Sequence, residues 1–103
     1  MHELTGFQRD LLFVIAGLGE PSGIEIKDEL DGYYDQTIRH GRLYPNLDTL
    51  VEAGLVEKGQ RNQRTNEYML RQRGRRELRM FLKWQLRYAP EDIQSDLTPV
   101  ASQ

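Results

Sequence analysis

Cysteine is absent, and histidine occurs only as His2 and His40. Disulfides and thiolate metal sites are therefore excluded, and a histidine-rich zinc site lacks its ligands. No apolar run approaches the ~20 residues that a membrane span needs. The opening Met1-His2-Glu3-Leu4-Thr5 has no basic stretch followed by an apolar one, so no secretory leader is expected. A soluble, cytoplasmic protein with no membrane association is the expectation. Catalytic signatures are missing too, since nothing places a nucleophile beside a base. Asp28, Glu29 and Asp31 fall where a solvated helix face would carry them, and His40 has no evident orienting partner. No enzymatic activity, catalytic residue, cofactor or metal is expected.

What is present suits one small domain of 103 residues, in which docking two copies is a common remedy for a limited core. Net charge is only −2, yet it is sharply segregated. Residues 1–38 carry two bases against eight acids. Residues 39–87 carry twelve bases against five acids, and residues 88–103 three acids and no base. A nucleic-acid reader needs a basic face, not a basic whole. Solvated charges on unrelated surfaces would give the same counts, so charge alone leaves the function open.

Thr5-Gly6-Phe7-Gln8 has the spacing of a capping box. Phe7, Leu11, Val14, Ile15 and Leu18 follow at helical intervals and Gly19 supplies a stop, which predicts a helix over 6–18. After the turn at Glu20-Pro21-Ser22-Gly23, Ser22 and Glu25 repeat the box spacing. Ile26 and Leu30 share a face, predicting a second helix over 23–31 that ends near Gly32. Tyr33 and Tyr34 at its exit read as packing residues.

A third helix follows Arg39-His40-Gly41-Arg42, with Leu43, Leu47, Leu50 and Val51 at i, i+4, i+7 and i+8. Gly54 is placed to close it in the left-handed conformation, and Pro45 is expected in its first turn. At about 100° per residue the leucines turn inward. Arg42, Pro45, Asn46 and Thr49 then fall away from them, on a side suited to a major groove.

Leu55 to Gly59 resembles a strand, Arg61 to Asn66 a polar turn with two arginines, and Glu67 to Leu70 a second strand. Strand, basic loop and strand directly after a helix form the layout of a wing, although an ordinary surface hairpin has the same secondary structure. From about 72 to 88 helical character returns. Leu78, Phe81, Leu82, Trp84, Leu86 and Tyr88 make a broad apolar stripe beside Arg73, Arg75, Arg76, Arg79, Lys83 and Arg87. That stripe exceeds what one small core needs, so these six apolar residues are the candidate dimer interface. The expected fold is mainly α with a small β-hairpin: a winged helix-turn-helix over 1–71, a dimerisation helix over 72–89 that Pro90 stops, and a flexible acidic tail over 90–103.

The stretch Gly41-Arg42-Leu43-Tyr44-Pro45-Asn46-Leu47-Asp48-Thr49-Leu50, continuing to Gly54-Leu55-Val56, resembles the Leu-Tyr-Pro-x-Leu-x-x-Leu-x-x-x-Gly-Leu pattern of PadR-like transcriptional regulators. Gly23-Ile24-Glu25-Ile26, and Tyr68-Met69-Leu70 followed by Gly74, resemble further segments of that family. The likeness spans about residues 5–88 and matches the short subfamily with one terminal dimerising helix. It implies a homodimer that represses or otherwise controls transcription, with helix three in the major groove and the wing on the backbone of double-stranded DNA. On that implication and on side-chain chemistry, the candidate DNA contacts are Arg39, His40, Arg42, Tyr44, Asn46, Thr49, Arg61, Asn62 and Arg64. Two positions depart from the family pattern. Arg42 stands where a small hydroxyl residue is usual, and Arg71 where a threonine often caps the last helix.

Arginine outnumbers lysine eleven to three while acids exceed bases, a bias similar to that of haloarchaeal PadR-like proteins. High salt suppresses the counterion-release part of DNA affinity, so such a protein must rest more on direct base and shape contacts. The rival reading is a winged helix that docks protein partners and never touches DNA. A small-molecule effector is compatible with the DNA reading, with the apolar surface at Phe81 and Trp84 as its candidate site.

Overall fold

Both capping boxes close. The computed structural model describes residues 3–97. In it, the Thr5 hydroxyl accepts from the Gln8 amide at 3.1 Å, and the Gln8 side chain accepts from the Thr5 amide at 3.0 Å. Ser22 and Glu25 repeat the exchange at 3.2 and 2.8 Å. Two orphan donors are satisfied at each start. Helices α1 (Gly6–Leu18) and α2 (Gly23–Tyr34) therefore begin where the sequence pattern places them. The remaining elements are α3 (His40–Glu52), β1 (Val56–Asn62), β2 (Thr65–Leu70), α4 (Gln72–Tyr88) and α5 (Glu91–Leu97).

Helix α2 runs past Gly32 and ends at Asp35, which takes the left-handed conformation with φ 57°. A mid-helix glycine costs only about 0.5–1 kcal/mol. The extra turn gains the Tyr34 ring against Phe7, at 6.1 Å between centroids, and a hydrogen bond from its hydroxyl to Asp10. Burial, together with that carboxylate, pushes the Tyr34 phenol up to about 12. Asp31 then accepts from the Ile38 amide at 2.7 Å and fastens the link into α3.

Helix α3 starts at His40, one turn earlier than the leucine pattern suggests, so Pro45 lies in the second turn and not the first. Proline cannot donate to the Gly41 carbonyl, at a cost of about 3 kcal/mol or more in a helix interior. Two things offset it. Gly41 is exposed, so water can reach that carbonyl. Leu43, Leu47 and Leu50 are fully buried, each worth roughly 1.5–3 kcal/mol. The helix closes as expected at Gly54, with φ 78°. The Gly54 amide donates to Val51 and the Leu55 amide to Leu50, a Schellman closure with Leu55 packed in the core.

The hairpin is longer than the sequence pattern suggests. Arg61 and Asn62 belong to β1, and Thr65 and Asn66 to β2, leaving only Gln63 and Arg64 in the turn. Asn62 closes that turn by accepting from the Arg64 amide at 2.9 Å. The antiparallel register runs from Val56 opposite Leu70 to Gln60 opposite Asn66. It then shifts, with Asn62 opposite Thr65 and Arg61 as the unmatched bulge residue.

Helix α1 is the hub, packing against α2, α3, α4 and β2. Leu11, Leu12 and Ile15 of α1 meet Ile26, Leu30, the α3 leucines, Val56 and Tyr68 in one core. Arg71 precedes α4 as its N-cap residue and supplies no side-chain cap, while its amide donates to the Leu55 carbonyl at 2.9 Å. The first turn of α4 crosses the hairpin base at Gly74, against Leu55 and Leu70. Beyond Pro90, residues 91–97 are helical and not an irregular tail. Glu91 and Asp92 sit in the first turn of α5, where the helix dipole favours acids. The Gln94 side chain donates to the Leu86 and Ala89 carbonyls at 2.8 Å each. Residues 98–103 of the expected tail lie outside the described residues.

Candidate nucleic-acid interface

The solvent side of α3 is built by subtraction. Its leucines and half-buried Tyr44 and Asn46 face neighbouring elements. Arg39, His40, Gly41, Arg42, Pro45, Asp48, Thr49 and Glu52 remain exposed. Arg39 is the N-cap residue and offers no side-chain cap, so its guanidinium is not committed to the helix start. His40 lies edge-on to Tyr44 at 5.6 Å between ring centroids. Thr49 donates to the Pro45 carbonyl at 3.1 Å, a bond a hydroxyl can retain while accepting from another donor.

Arg42 and Asn46 are on the flank of α3 that faces α1. The Arg42 guanidinium stands 4.0 Å over the Phe7 ring while the residue stays exposed. The Asn46 amide is engaged at both ends, donating to the Arg42 carbonyl and accepting from the Gln8 side chain at 2.9 Å. Gln8 thus caps its own helix and holds a residue of α3.

On the other flank, Tyr44 fits over the start of α2. A Cβ at Gly23 would stand 2.6 Å from the Tyr44 hydroxyl oxygen, so only glycine leaves room for the ring. A cleft of about 480 Å³ separates α3 from the wing, with Ser22, Tyr44, Arg64 and Tyr68 in its walls. Arg64 is exposed in the two-residue turn at the wing's tip. Asn62 is occupied in closing that turn.

Arg61 does not sit in the loop and its guanidinium is engaged within the protein. It donates to the Glu20 carbonyl at 2.8 Å, to Glu25 at 3.1 and 3.4 Å, and to Glu67 at 3.2 Å. Hydrogen bonding to Arg61 holds the Glu25 carboxyl below the usual carboxylate range, aided by the Ser22 amide. The same bonds to Glu25 and Glu67 raise the Arg61 guanidinium further. Glu25, Glu67, Gln8 and Gly23 carry no signal of a site role in the sequence. Gln8 and Glu25 announce themselves only as capping residues, because their second partners are remote in the chain.

The candidate dimer residues divide. Leu78 is 7% exposed and belongs to the domain's own core. Phe81 is half-buried, with the Arg9 guanidinium 4.7 Å over its ring. Leu82, Trp84, Leu86 and Tyr88 are exposed, Trp84 at 62% and Tyr88 at 65%, with those two rings 5.2 Å apart. A groove of about 460 Å³ runs past Met80, Phe81 and Trp84. Among the described residues, no group of three or more His, Cys, Asp or Glu side chains is placed to hold a metal ion. No helix there is long and apolar enough to cross a membrane.

Residues 11–80 match the family described as the transcriptional regulator PadR-like family. The chain belongs to that family. A match of this extent runs from Leu11 within α1 to the first half of α4, including the whole of α2, α3 and the wing. Comparison with curated proteins finds no significant match. Among solved structures, RosR of H. salinarum is similar over 98% of this chain and 93% of its own, with 41% identity and a TM-score of 0.87. The same RosR in a complex designated RosR-S1 aligns with 42% identity over 96% of this chain and 89% of that one, at a TM-score of 0.85. PadR of Bacillus subtilis, solved in complex with operator DNA, shares the fold at 23% identity and a TM-score of 0.66. That alignment covers 84% of this chain and 50% of PadR. The arginine-rich, acidic composition fits a haloarchaeal neighbour, and the winged-helix PadR-like reading of the sequence holds.

Proposed function

We infer that this PadR-like regulator binds double-stranded DNA as a cytoplasmic homodimer, α3 entering the major groove and the wing following the backbone. The observation that carries the reading is the solvent face of α3, with Arg39, His40 and Arg42 at its start and Arg64 at the neighbouring wing tip. Major-groove readers need a helix whose exposed side carries donors and acceptors, flanked by cations for phosphate. Arg42 and Thr49 supply the first, and Arg39 and Arg64 the second. PadR, which shares the fold, is bound to operator DNA in its own structure. Asn46 enters the site as a support for the α1–α3 contact, and Tyr44 as the spacer between α3 and α2.

The dimer is assigned to the second half of α4, where Leu82, Trp84, Leu86 and Tyr88 form an apolar surface that their own domain leaves open. The helix-turn-helix and wing over 1–71 and the dimerisation helix over 72–89 are then the two functional units. Occupation of a promoter by such a dimer blocks polymerase, so repression is the simplest outcome. The groove at Phe81 and Trp84 is the place for a small-molecule effector, since filling it alters the pairing of two α4 helices.

Selection from a random duplex pool tests this reading. The enriched site is expected to be a near-palindrome with half-site centres about one helical turn apart. Replacing Arg64 in Arg64→Ala is expected to weaken binding to selected and scrambled duplexes by a similar factor and to reduce the salt slope by roughly one per lost phosphate contact. Enrichment of no sequence, together with an unchanged slope, would support a protein-docking winged helix instead.

A further inference from the structure

Arg61 is the extra residue of the β1 bulge, unmatched between Gln60 opposite Asn66 and Asn62 opposite Thr65. Bulges turn a side chain away from the alternating pattern of a strand. Here the turned side chain crosses to the start of α2, which is 36 residues away in sequence. The guanidinium bonds the Glu25 carboxylate and the Glu20 carbonyl there, and the Glu67 carboxylate on the facing strand β2. Its planar fork of donors suits that divided grip, which a lysine could not reproduce. Two acids to one base leaves the cluster net negative, a poor place for a DNA phosphate.

The base of the wing is held otherwise. The Tyr68 amide donates to the Pro21 carbonyl at 2.9 Å, and Ser22 bridges to Glu67. Beyond Glu67 the hairpin projects with exposed Asn62, Gln63, Arg64 and Asn66. Arg61 ties this outer part back to α2.

We propose that Arg61 is a positioning residue: with Glu25 and Glu67 it clamps the wing to α2 and sets the angle at which Arg64 meets DNA, without contacting DNA itself. This rests on the DNA reading above. The clamp and a direct phosphate contact predict opposite signs for one variant. Glu25→Gln keeps the oxygen that accepts from the Ser22 amide but removes the charge that grips Arg61. If Arg61 is a clamp, releasing it misdirects the wing and weakens binding. If Arg61 seeks phosphate, releasing it strengthens binding.

The experiment measures affinity for a duplex selected from a random pool by the parent chain, at several salt concentrations. Glu25→Gln, Arg61→Gln and the double variant are compared, alongside amide hydrogen exchange of the DNA-free proteins. Expected are a roughly 2- to 5-fold loss for each single variant, as for a small exposed ion-pair network, and a double variant no worse than the singles. The salt slope should be unchanged, and exchange should quicken in 60–66 while the α1 core keeps its protection. Tighter binding by Glu25→Gln overturns the proposal, as does a slope reduced by about one in Arg61→Gln or unaltered hairpin exchange. Faster exchange with unaltered affinity also overturns it. If Arg64→Ala is then equally silent, the fault lies in the wing's assignment to DNA.

Discussion

Leu82→Asp is expected to leave the chain folded but monomeric, and to lower its affinity for a two-half-site operator by about 10²–10⁴-fold. Leu82 is exposed, so a carboxylate there meets water in the monomer and the helix persists. In a dimer the same carboxylate would be buried against apolar surface, where an unpaired charge is strongly disfavoured. Avidity explains the size of the loss, since the second half-site is bound at high effective concentration only while two copies stay joined. Trp84→Ala tests the same face without a charge, by removing its largest side chain. Sedimentation at micromolar concentration supplies the mass. A monomeric parent, or two dimeric variants, would show that α4 does not form the interface.

Gly74→Ala is expected to destabilise the fold although alanine is the better helix former. A Cβ at Gly74 would stand 2.4 Å from the Leu55 carbonyl oxygen and 2.7 Å from a Leu70 methyl carbon. The Leu55 carbonyl is backbone, held by the Arg71 amide and next to the closure of α3, so it cannot step aside cheaply. Overpacking of this kind costs about 1–3 kcal/mol, against a propensity gain of about 0.5–1. The clash wins, and Tm should fall by up to roughly 20 °C for a domain of this size. Gly32→Ala is the control. Nothing lies within 4 Å of its Cβ position in α2, so propensity acts alone and Tm should rise. If both variants moved Tm upward, α4 would not be packed on the hairpin as described.

Local signals carried most of the fold. Thr5 with Gln8, Ser22 with Glu25, and Gly54 each act within a few residues of themselves, and each end or start they mark is where the sequence pattern puts it. The failures share a different cause. Arg61 and Asn62 look like loop residues by composition, yet a bulge and a remote carboxylate make them strand. The start of α3 is hidden because Pro45 reads as a first-turn residue, whereas an exposed Gly41 and the buried leucines let it sit in the second. Gly32 reads as a stop, but Tyr34 gains partners in α1 that the pattern cannot display. At the site, the exposed side of α3 was legible from helical periodicity. The engagement of Asn46 by Gln8 and of Arg61 by Glu25 was not, because both partners come from other helices.

The central claim is that α3 reads the operator, and the most direct test is a specificity ratio. Affinity is measured for the selected duplex and for a scrambled duplex at one salt concentration, with circular dichroism as the folding control. Arg42→Ala is expected to lower the ratio by about 1–3 kcal/mol, as for the loss of one bidentate base contact. Thr49→Ala should lower it by less, because a single hydroxyl makes the weaker contact. Affinity for the scrambled duplex should change little with Thr49→Ala, since no charge is lost. Two folded variants that both keep the parental ratio would contradict the account, because the exposed face of α3 would then not be the reading surface.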